Sequence, residues 1–117
     1  MFQSNDQMQH ITKSNVRGGS GSPGFCYLFT EAQLGGRAEM MAEITLQPGE
    51  SVGVHPHTEN AEVYYLLEGS AMVSEDGTEH ELQPGDAEFC ADGHTHSIRN
   101  HTDAPIRFFA VVLPNRG

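Results

Sequence analysis

Residues 49–69 read GESVGVHPHTENAEVYYLLEG, and this stretch decides the fold. His55 and His57 stand two positions apart, and Glu62 follows after a short polar break. Side chains two apart in a strand point to the same face of a sheet, so both imidazoles face one side. Glu62 opens the apolar run that comes next. The stretch therefore predicts two strands that bring two imidazoles and one carboxylate together.

A second stretch, GDAEFCADGHTHSIRN at residues 85–100, supplies a further histidine from a distant strand. We expect a mononuclear site for one divalent transition metal ion, formed by His55, His57, Glu62 and His96. Imidazole suits zinc, copper, iron and nickel, and a carboxylate widens the choice to manganese. Iron or manganese is favoured, since four ligands on an octahedral ion leave two positions for water or substrate, whereas a structural zinc site is closed.

Apolar and polar residues alternate with a period of two along most of the remaining chain. Strands are predicted at 25–29, 37–46, 63–68, 71–74, 78–82, 86–90, 94–100 and 106–113, and Asp76-Gly77 is typical of a hairpin turn. No helical segment longer than a turn or two is predicted. Short strands separated by regular turns indicate an all-β antiparallel sandwich or barrel.

The length of 117 residues fits one domain. We divide the chain into a loose N-terminal arm with a glycine-rich loop, 1–24, and a single barrel domain, 25–117. The glycine-rich run at 18–24 lacks the Lys-Ser/Thr ending of a phosphate-binding loop, and no strand-like run precedes it. It is interpreted as the entry to the first strand rather than as a functional lid.

Sixteen acidic residues against six basic ones give a formal net charge of −10, and the basic residues are scattered. Nucleic-acid binding needs a basic stripe, and an anionic membrane surface attracts basic segments, so both partners are disfavoured. No apolar run is long enough to cross a bilayer, and residues 1–14 lack the apolar core of a signal peptide. We expect a cytoplasmic protein with two reduced cysteines and a small-molecule ligand.

The two histidine-bearing stretches resemble the two halves of the cupin motif. The matching positions are Gly49, His55, His57, Glu62 and Gly69 in the first half, and Gly85, Gly93, His96 and Asn100 in the second. Ala91 stands where proline is usual, which affects a turn rather than a ligand. The resemblance covers roughly residues 38–112 and implies a small single-domain cupin, with a jelly-roll barrel (double-stranded β-helix) around a metal. Cupins include dioxygenases, decarboxylases, isomerases, lyases, epimerases and storage proteins, so the fold alone does not name the reaction.

Two side chains near the predicted ligands are candidates for catalysis. Tyr64 shares the face of Glu62 and could line the pocket as a proton or hydrogen-bond donor, with simple packing as the alternative. His94 lies two residues from His96 and could act as a base at the mouth, with an ordinary loop histidine as the alternative.

The predicted pocket wall is mainly apolar. We expect it to contain Met40, Ala42 and Ile44, with a contribution from Phe89. Cys90 is interpreted as a small buried residue rather than a ligand. On the last strand either Phe108 or Arg107 faces inward, and alternation alone does not decide; an inward arginine would bind an anion.

One carboxylate and three neutral imidazoles around a divalent ion give a net charge of about +1, which favours a small oxygen-bearing ligand, including an anionic one. The leading expectation is a metal-dependent enzyme of the dioxygenase or oxidoreductase type. The alternative is a metal-dependent binding or sensing module without turnover. Isomerase, lyase or decarboxylase activity has less support. A homodimer is also expected, because sheet edges are normally covered, and the segment up to Phe29 could pair with a neighbouring chain.

Overall fold

Ten β-strands form the protein in the computed structural model, which describes residues 1–115. The strands are β1 (Gln9–Thr12), β2 (Gly24–Tyr27), β3 (Met40–Leu46), β4 (Ser51–Pro56), β5 (Asn60–Glu68), β6 (Ala71–Glu75), β7 (Thr78–Leu82), β8 (Ala87–Cys90), β9 (Thr95–Arg99) and β10 (Ile106–Pro114). Two short 3₁₀ turns, Asn5–Gln7 and Val16–Gly18, are the only helical elements among these residues. Neither approaches the length or apolar character that a membrane-crossing helix requires.

The strands form two antiparallel sheets. One has six strands in the order β1-β2-β3-β10-β5-β8, and the other has four in the order β4-β9-β6-β7. Several neighbouring strands come from distant parts of the chain, such as β3, β10 and β5 in one sheet and β4, β9 and β6 in the other, so some connections cross between the sheets. The prediction of an all-β jelly-roll barrel is confirmed.

The core lies between the two sheets and follows the predicted alternation. Its apolar side chains include Phe25, Ala42, Ile44, Leu46, Val52, Leu66, Val73, Ile98, Ile106, Phe108 and Ala110. On β10 the open question is answered, because Phe108 is fully buried. Arg107 points outward and pairs with Glu43 at 2.6 Å and Glu68 at 3.1 Å. The arginine therefore lies outside the barrel.

The N-terminal segment is more ordered than the loose arm that the sequence suggested. Residues 9–12 pair with β2, from Gln9 opposite Tyr27 to Thr12 opposite Gly24. The segment that we expected to pair with a neighbouring chain thus extends this chain's own six-stranded sheet.

Two turns behave as their residues predict. Asp76 and Gly77 join β6 to β7 with φ angles of 48° and 89°, which is the left-handed region that a tight hairpin requires. Asn100 holds the loop after β9, because its Nδ2 donates to the carbonyls of Leu46 at 3.0 Å and Ala104 at 2.8 Å.

Candidate metal centre and adjoining cavity

Both sheets contribute to one buried cluster of donor atoms. His55 lies on β4 and His57 directly after it, Glu62 lies on β5, and His96 lies on β9. His55 and His96 are direct partners across the β4–β9 pair, so their side chains start from adjacent points. All four side chains are buried. The structure thus brings together the four residues that the sequence selected.

The ligand atoms of the cluster lie at short mutual distances. Nε2 of His96 is 3.0 Å from Nε2 of His55 and 3.1 Å from Nε2 of His57. Oε1 of Glu62 is 3.0 Å from Nε2 of both His57 and His96 and 3.4 Å from that of His55. Four nitrogen and oxygen atoms therefore converge on one point.

The outer nitrogen of each ring is held by a hydrogen-bond acceptor. Nδ1–H of His55 donates to the carbonyl of Gly53 at 2.7 Å, and Nδ1–H of His57 donates to Oδ1 of Asn60 at 2.7 Å. Because the acceptors fix the proton on Nδ1, a neutral ring directs its Nε2 lone pair inward.

The third ring follows the same rule with a charged acceptor. Nδ1–H of His96 donates to the carboxylate of Glu88 at 2.9 Å. With Glu62 ionised, the centre of the cluster then holds three nitrogen lone pairs and one carboxylate oxygen, with no donor to satisfy them. Buried acceptors that face each other are costly unless a cation lies between them.

The cluster fits a divalent transition metal. Ligand bonds of roughly 2.1 Å at right angles place neighbouring donor atoms about 3 Å apart, close to most of the distances between these atoms. His55, His57, Glu62 and His96 could hold such an ion. Three imidazoles and one carboxylate are compatible with iron, manganese, zinc, nickel or copper.

The acid–base properties of the cluster reflect its need for positive charge. Burial raises the pKa of Glu62, but its close contacts with the three imidazoles outweigh burial and hold that pKa far below its ordinary range. Burial lowers the pKa of His96, but hydrogen bonds with Glu62 and Glu88 outweigh it and raise the pKa to about 9. Without a metal, a second proton on His96 provides the positive charge that stabilises the two buried carboxylates, Glu62 and Glu88.

Glu88 is a functional candidate that our sequence analysis missed. Its side chain lies on β8, is 6% exposed and contacts the metal candidate His96. The expectation that Phe89 lines the pocket is wrong, because Phe89 points outward and is 56% exposed. Adjacent strand residues face opposite sides, so an inward Cys90 implied an inward Glu88 and an outward Phe89.

The second buried carboxylate changes the charge balance of the site. A divalent ion with Glu62 alone gives the expected net charge of about +1. With Glu88 hydrogen bonded to a ligand ring, the ion and the two carboxylates sum to about zero. The bound ion alone therefore gives an incoming anion little long-range attraction.

A small cavity adjoins the donor atoms. Its volume is about 120 Å³, and it is lined by Val16, Arg17, Phe25, Met40, Ile44, Val52, His55, His57, Asn60, Glu62, Tyr64 and Val112. Drug-sized ligands usually occupy pockets of at least roughly 300 Å³, so this cavity suits a ligand of a few heavy atoms. Its wall is mainly apolar, as predicted, and includes Met40 and Ile44. Ala42, which was also expected there, lies in the core and not in the cavity lining.

Tyr64 lies in the wall of this cavity and is 1% exposed. Its ring stacks on His96, with centroids 4.5 Å apart and an angle of 8° between the planes, and it meets Phe108 edge-on at 5.0 Å. Burial raises the pKa of Tyr64, and the nearby negative charges of Glu62 and Glu88 raise it further. The phenol therefore stays protonated and can serve as a donor but not as a base.

His94 lies apart from the other predicted site residues. Its side chain is 58% exposed, and its Nδ1 is 2.6 Å from Oδ2 of Asp76 in the β6–β7 turn. Hydrogen bonding to Asp76 raises the pKa of His94. The residue does not line the cavity, so the structure gives no support to a base at its mouth.

Cys90 behaves as a buried small residue. Its side chain is close to Glu88 and His96, and the three could form a second group of potential ligands. Burial and the neighbouring carboxylates raise the pKa of Cys90 to about 12, so the thiol stays protonated. Nδ1 of His96 is already hydrogen bonded to Glu88, which leaves the thiol without a role at the centre.

Comparison with known proteins identifies the family. The model of the cupin domain matches residues 42–112, which is more than half of the chain. The protein therefore belongs to the cupin family, as the two motifs indicated. Buried histidines and a carboxylate at these positions agree with a possible metal site of the kind that cupins have.

Relatives are also found among studied proteins. The chain is 34% identical over 100 residues to an oxalate-binding protein of Thermotoga maritima, covering 86% of this chain and 83% of the relative. It is 33% identical over 107 residues to the tetracenomycin polyketide synthase protein TcmJ of Streptomyces glaucescens, covering 92% of this chain and 69% of the relative. A crystal structure described as a predicted oxalate decarboxylase of Thermotoga maritima superposes with a TM-score of 0.93 at 30% identity, covering 98% of this chain and 100% of that one.

Proposed function

We propose that this protein binds a small carboxylate anion of the oxalate class in a metal-dependent manner. The observation that carries the proposal is the cavity of about 120 Å³ that opens on His55, His57 and Glu62. A ligand of a few heavy atoms fits this space, and the name of the Thermotoga maritima relative points to the same class.

The residues of the chain have distinct tasks in this proposal. His55, His57, Glu62 and His96 hold the metal, which when bound offers free positions to a carboxylate oxygen. The carbonyl of Gly53, the amide of Asn60 and the carboxylate of Glu88 keep the three rings in the orientation that binding requires. Apolar residues of the wall exclude water around the ligand.

The ionisable residues of the cavity wall favour ligand binding over catalytic turnover. Its ionisable members are the metal candidates, Arg17 and Tyr64, and none of these is a free general base at neutral pH. His94, the base that the sequence suggested, lies outside the wall. Decarboxylation or isomerisation normally needs a group that accepts a proton as well as one that donates it, and Tyr64 in the wall can only donate.

A metal-dependent oxidation of the dioxygenase or oxidoreductase type is the second candidate. The favouring observation is the apolar wall, with Phe25, Met40 and Val112 next to the donor set. A site of histidines and a carboxylate with open positions suits a redox-active iron. Tyr64 is the cavity residue that could donate a proton in such a reaction.

Calorimetry and turnover assays on the same preparation distinguish the two candidates. Manganese-loaded protein should bind oxalate with a dissociation constant in the micromolar range, and chelator-treated protein should not bind it. Oxygen consumption and formation of formate or carbon dioxide should stay at background in iron- and manganese-loaded protein. Absence of oxalate binding in the loaded protein would refute the first candidate, and metal-dependent turnover would establish the second.

We also propose a homodimer, on different grounds from the sheet edges. The outward side of the six-stranded sheet carries a continuous apolar surface, which we call the outer face. It consists of Val63, Tyr65 and Leu67 on β5, Phe89 on β8, and Phe109 and Val111 on β10. Tyr65 is 43% and Phe89 56% exposed. Large exposed apolar patches mark interaction surfaces, and a two-fold axis lets one patch cover its own copy.

The cellular location stays a prediction. Cys26 and Cys90 are both free thiols, and thiols without a disulfide partner are typical of a reducing compartment such as the cytoplasm.

A further inference from the structure

The loop between β1 and β2 lies beside β4, the edge strand of the four-stranded sheet, and reaches the cavity. It is attached by hydrogen bonds from the Ser20 amide to Oγ of Ser51 at 2.9 Å, and from the Ser51 amide to the Ser20 carbonyl at 3.1 Å. The Ser22 amide donates to Oε2 of Glu50 at 2.8 Å. We call residues 13–22 the strap. Its contacts hold it in a fixed position relative to the histidine-bearing strand.

Two glycines allow the strap to approach β4 closely. A Cβ atom on Gly19 would overlap the carbonyl oxygen of Ser51, and one on Gly53 would overlap the carbonyl oxygen of Arg17. The same Gly53 accepts the hydrogen bond that orients His55. The backbone of Arg17 is therefore packed against the residue that positions a metal ligand.

The backbone at Arg17 has an unusual conformation. Its φ and ψ angles are 54° and 32°, in the left-handed region that residues other than glycine rarely adopt. Such conformations persist where surrounding contacts enforce them, and they are concentrated at functional sites. Here the conformation places Val16 and Arg17 in the lining of the cavity.

Arg17 is also distinctive in its charge. It is the only basic residue among those that line the cavity. Within residues 1–115 it forms no ion pair, whereas Arg99 pairs with Glu79 and Arg107 with Glu43 and Glu68. Since a divalent ion with Glu62 and Glu88 sums to about zero charge, the metal centre leaves no net positive charge for a second carboxylate on the same ligand, and Arg17 can supply it.

We propose that Arg17 binds the second carboxylate of a short dicarboxylate whose first carboxylate faces the metal centre, and so selects dicarboxylates over monocarboxylates. The guanidinium fork matches a carboxylate through two parallel hydrogen bonds, and it stays charged at all physiological pH values. The small cavity limits the spacing between the two carboxylates. This inference rests on the proposed function, because it assigns a specificity residue to the same site.

The test compares oxalate with acetate in calorimetric titrations of manganese-loaded protein. Arg17→Gln should weaken oxalate binding about 10- to 100-fold, since a hydrogen-bonded charged partner is lost. It should change acetate binding less than about threefold. Arg17→Lys should fall between the two, because it keeps the charge but not the fork. Arg37→Gln is the matched control, since Arg37 is exposed and does not line the cavity.

Outcomes for the specificity residue and for the proposed function are separable. Oxalate affinity unchanged in Arg17→Gln, or oxalate and acetate affinities reduced by the same factor, overturns the role of Arg17 and leaves metal-dependent binding intact. Failure of the wild-type protein to bind either carboxylate overturns both. Chelator competition for manganese should give the same metal affinity for all variants. A loss of metal affinity in Arg17→Gln would mean that the strap supports His55 through Gly53 rather than binding the ligand, and it would overturn the proposal.

Discussion

The carboxylate of Glu88 accepts a hydrogen bond from Nδ1 of His96 at 2.9 Å, and both side chains are buried between the sheets. The Nδ1 atoms of the other two histidines donate to neutral oxygens, so His96 is the one histidine of the cluster with a charged acceptor at Nδ1. A carboxylate behind an imidazole makes the ring a stronger electron donor toward a metal. One of the four candidate ligands is therefore electronically different from the rest.

This difference predicts an effect of Glu88→Gln on metal affinity. At pH 9 the variant should bind manganese about 10- to 100-fold more weakly than the wild type, because the orienting carboxylate is lost. Chelator competition measures the affinity, and Glu31→Gln, an exposed acid away from the site, is the control. An affinity within a factor of two of the wild type would contradict this role for Glu88.

The pH dependence of metal binding gives a second prediction. In the metal-free protein the pKa of His96 is raised to about 9, so the proton on this ring must leave when a metal binds. Because one proton is released for each metal ion bound, metal affinity should increase about tenfold per pH unit below pH 9 and become constant above pH 9. In Glu88→Gln the pKa of His96 should fall, and the plateau should begin at lower pH. A pH-independent affinity between pH 7 and 9 would refute the prediction.

Tyr64 should contribute to stability mainly through its ring. Replacement by phenylalanine keeps the stack on His96 but removes the hydrogen bond between the hydroxyl and Glu62. It should lower the free energy of unfolding by about 1 kcal/mol, the usual value of one hydrogen bond. Replacement by alanine leaves a cavity beside Phe108 and should cost about 3–5 kcal/mol. Urea unfolding of the metal-free proteins measures both changes. A loss of metal affinity greater than tenfold in Tyr64→Phe would instead make the hydroxyl part of the metal cage.

The outer face should control oligomeric state. Phe89→Glu places a charge within the proposed dimer contact and should give a monomer, because an unpaired charge at a buried interface is costly. Val54→Glu is the control, since Val54 is 69% exposed but lies on β4 in the other sheet. Sedimentation velocity separates the species. A wild-type protein that is monomeric at high micromolar concentration would show that the face has another role.

Much of the fold was predictable from local chemistry. Alternation along β3 and β5 defined their inward faces, and the His-x-His spacing placed two imidazoles on one side. Strand ends were less accurate, since β3 begins at Met40 rather than at Arg37. Its start depends on a turn at 31–37, and no alternating pattern marks where that turn ends.

Sequence reasoning missed residues whose roles depend on contacts between distant segments. The sequence could have predicted that Glu88 points inward, because it lies two residues from the buried Cys90. It could not show that Glu88 contacts His96, which comes from another strand. Arg17 had no local signal in the sequence. Its approach to the cavity depends on close packing between Gly19 and Gly53, which are 34 residues apart in the chain. Pairings of this kind are set by tertiary structure rather than by a local pattern.

The origin of the four donors on both sheets has a mechanical consequence. Glu62 belongs to the six-stranded sheet, whereas His55 and His96 belong to the four-stranded sheet. An ion bound by all of them would cross-link the two sheets of the barrel. Separating the layers would then require breaking coordination bonds as well as exposing the core. The thermal resistance of the protein would accordingly depend on the metal supply of its surroundings.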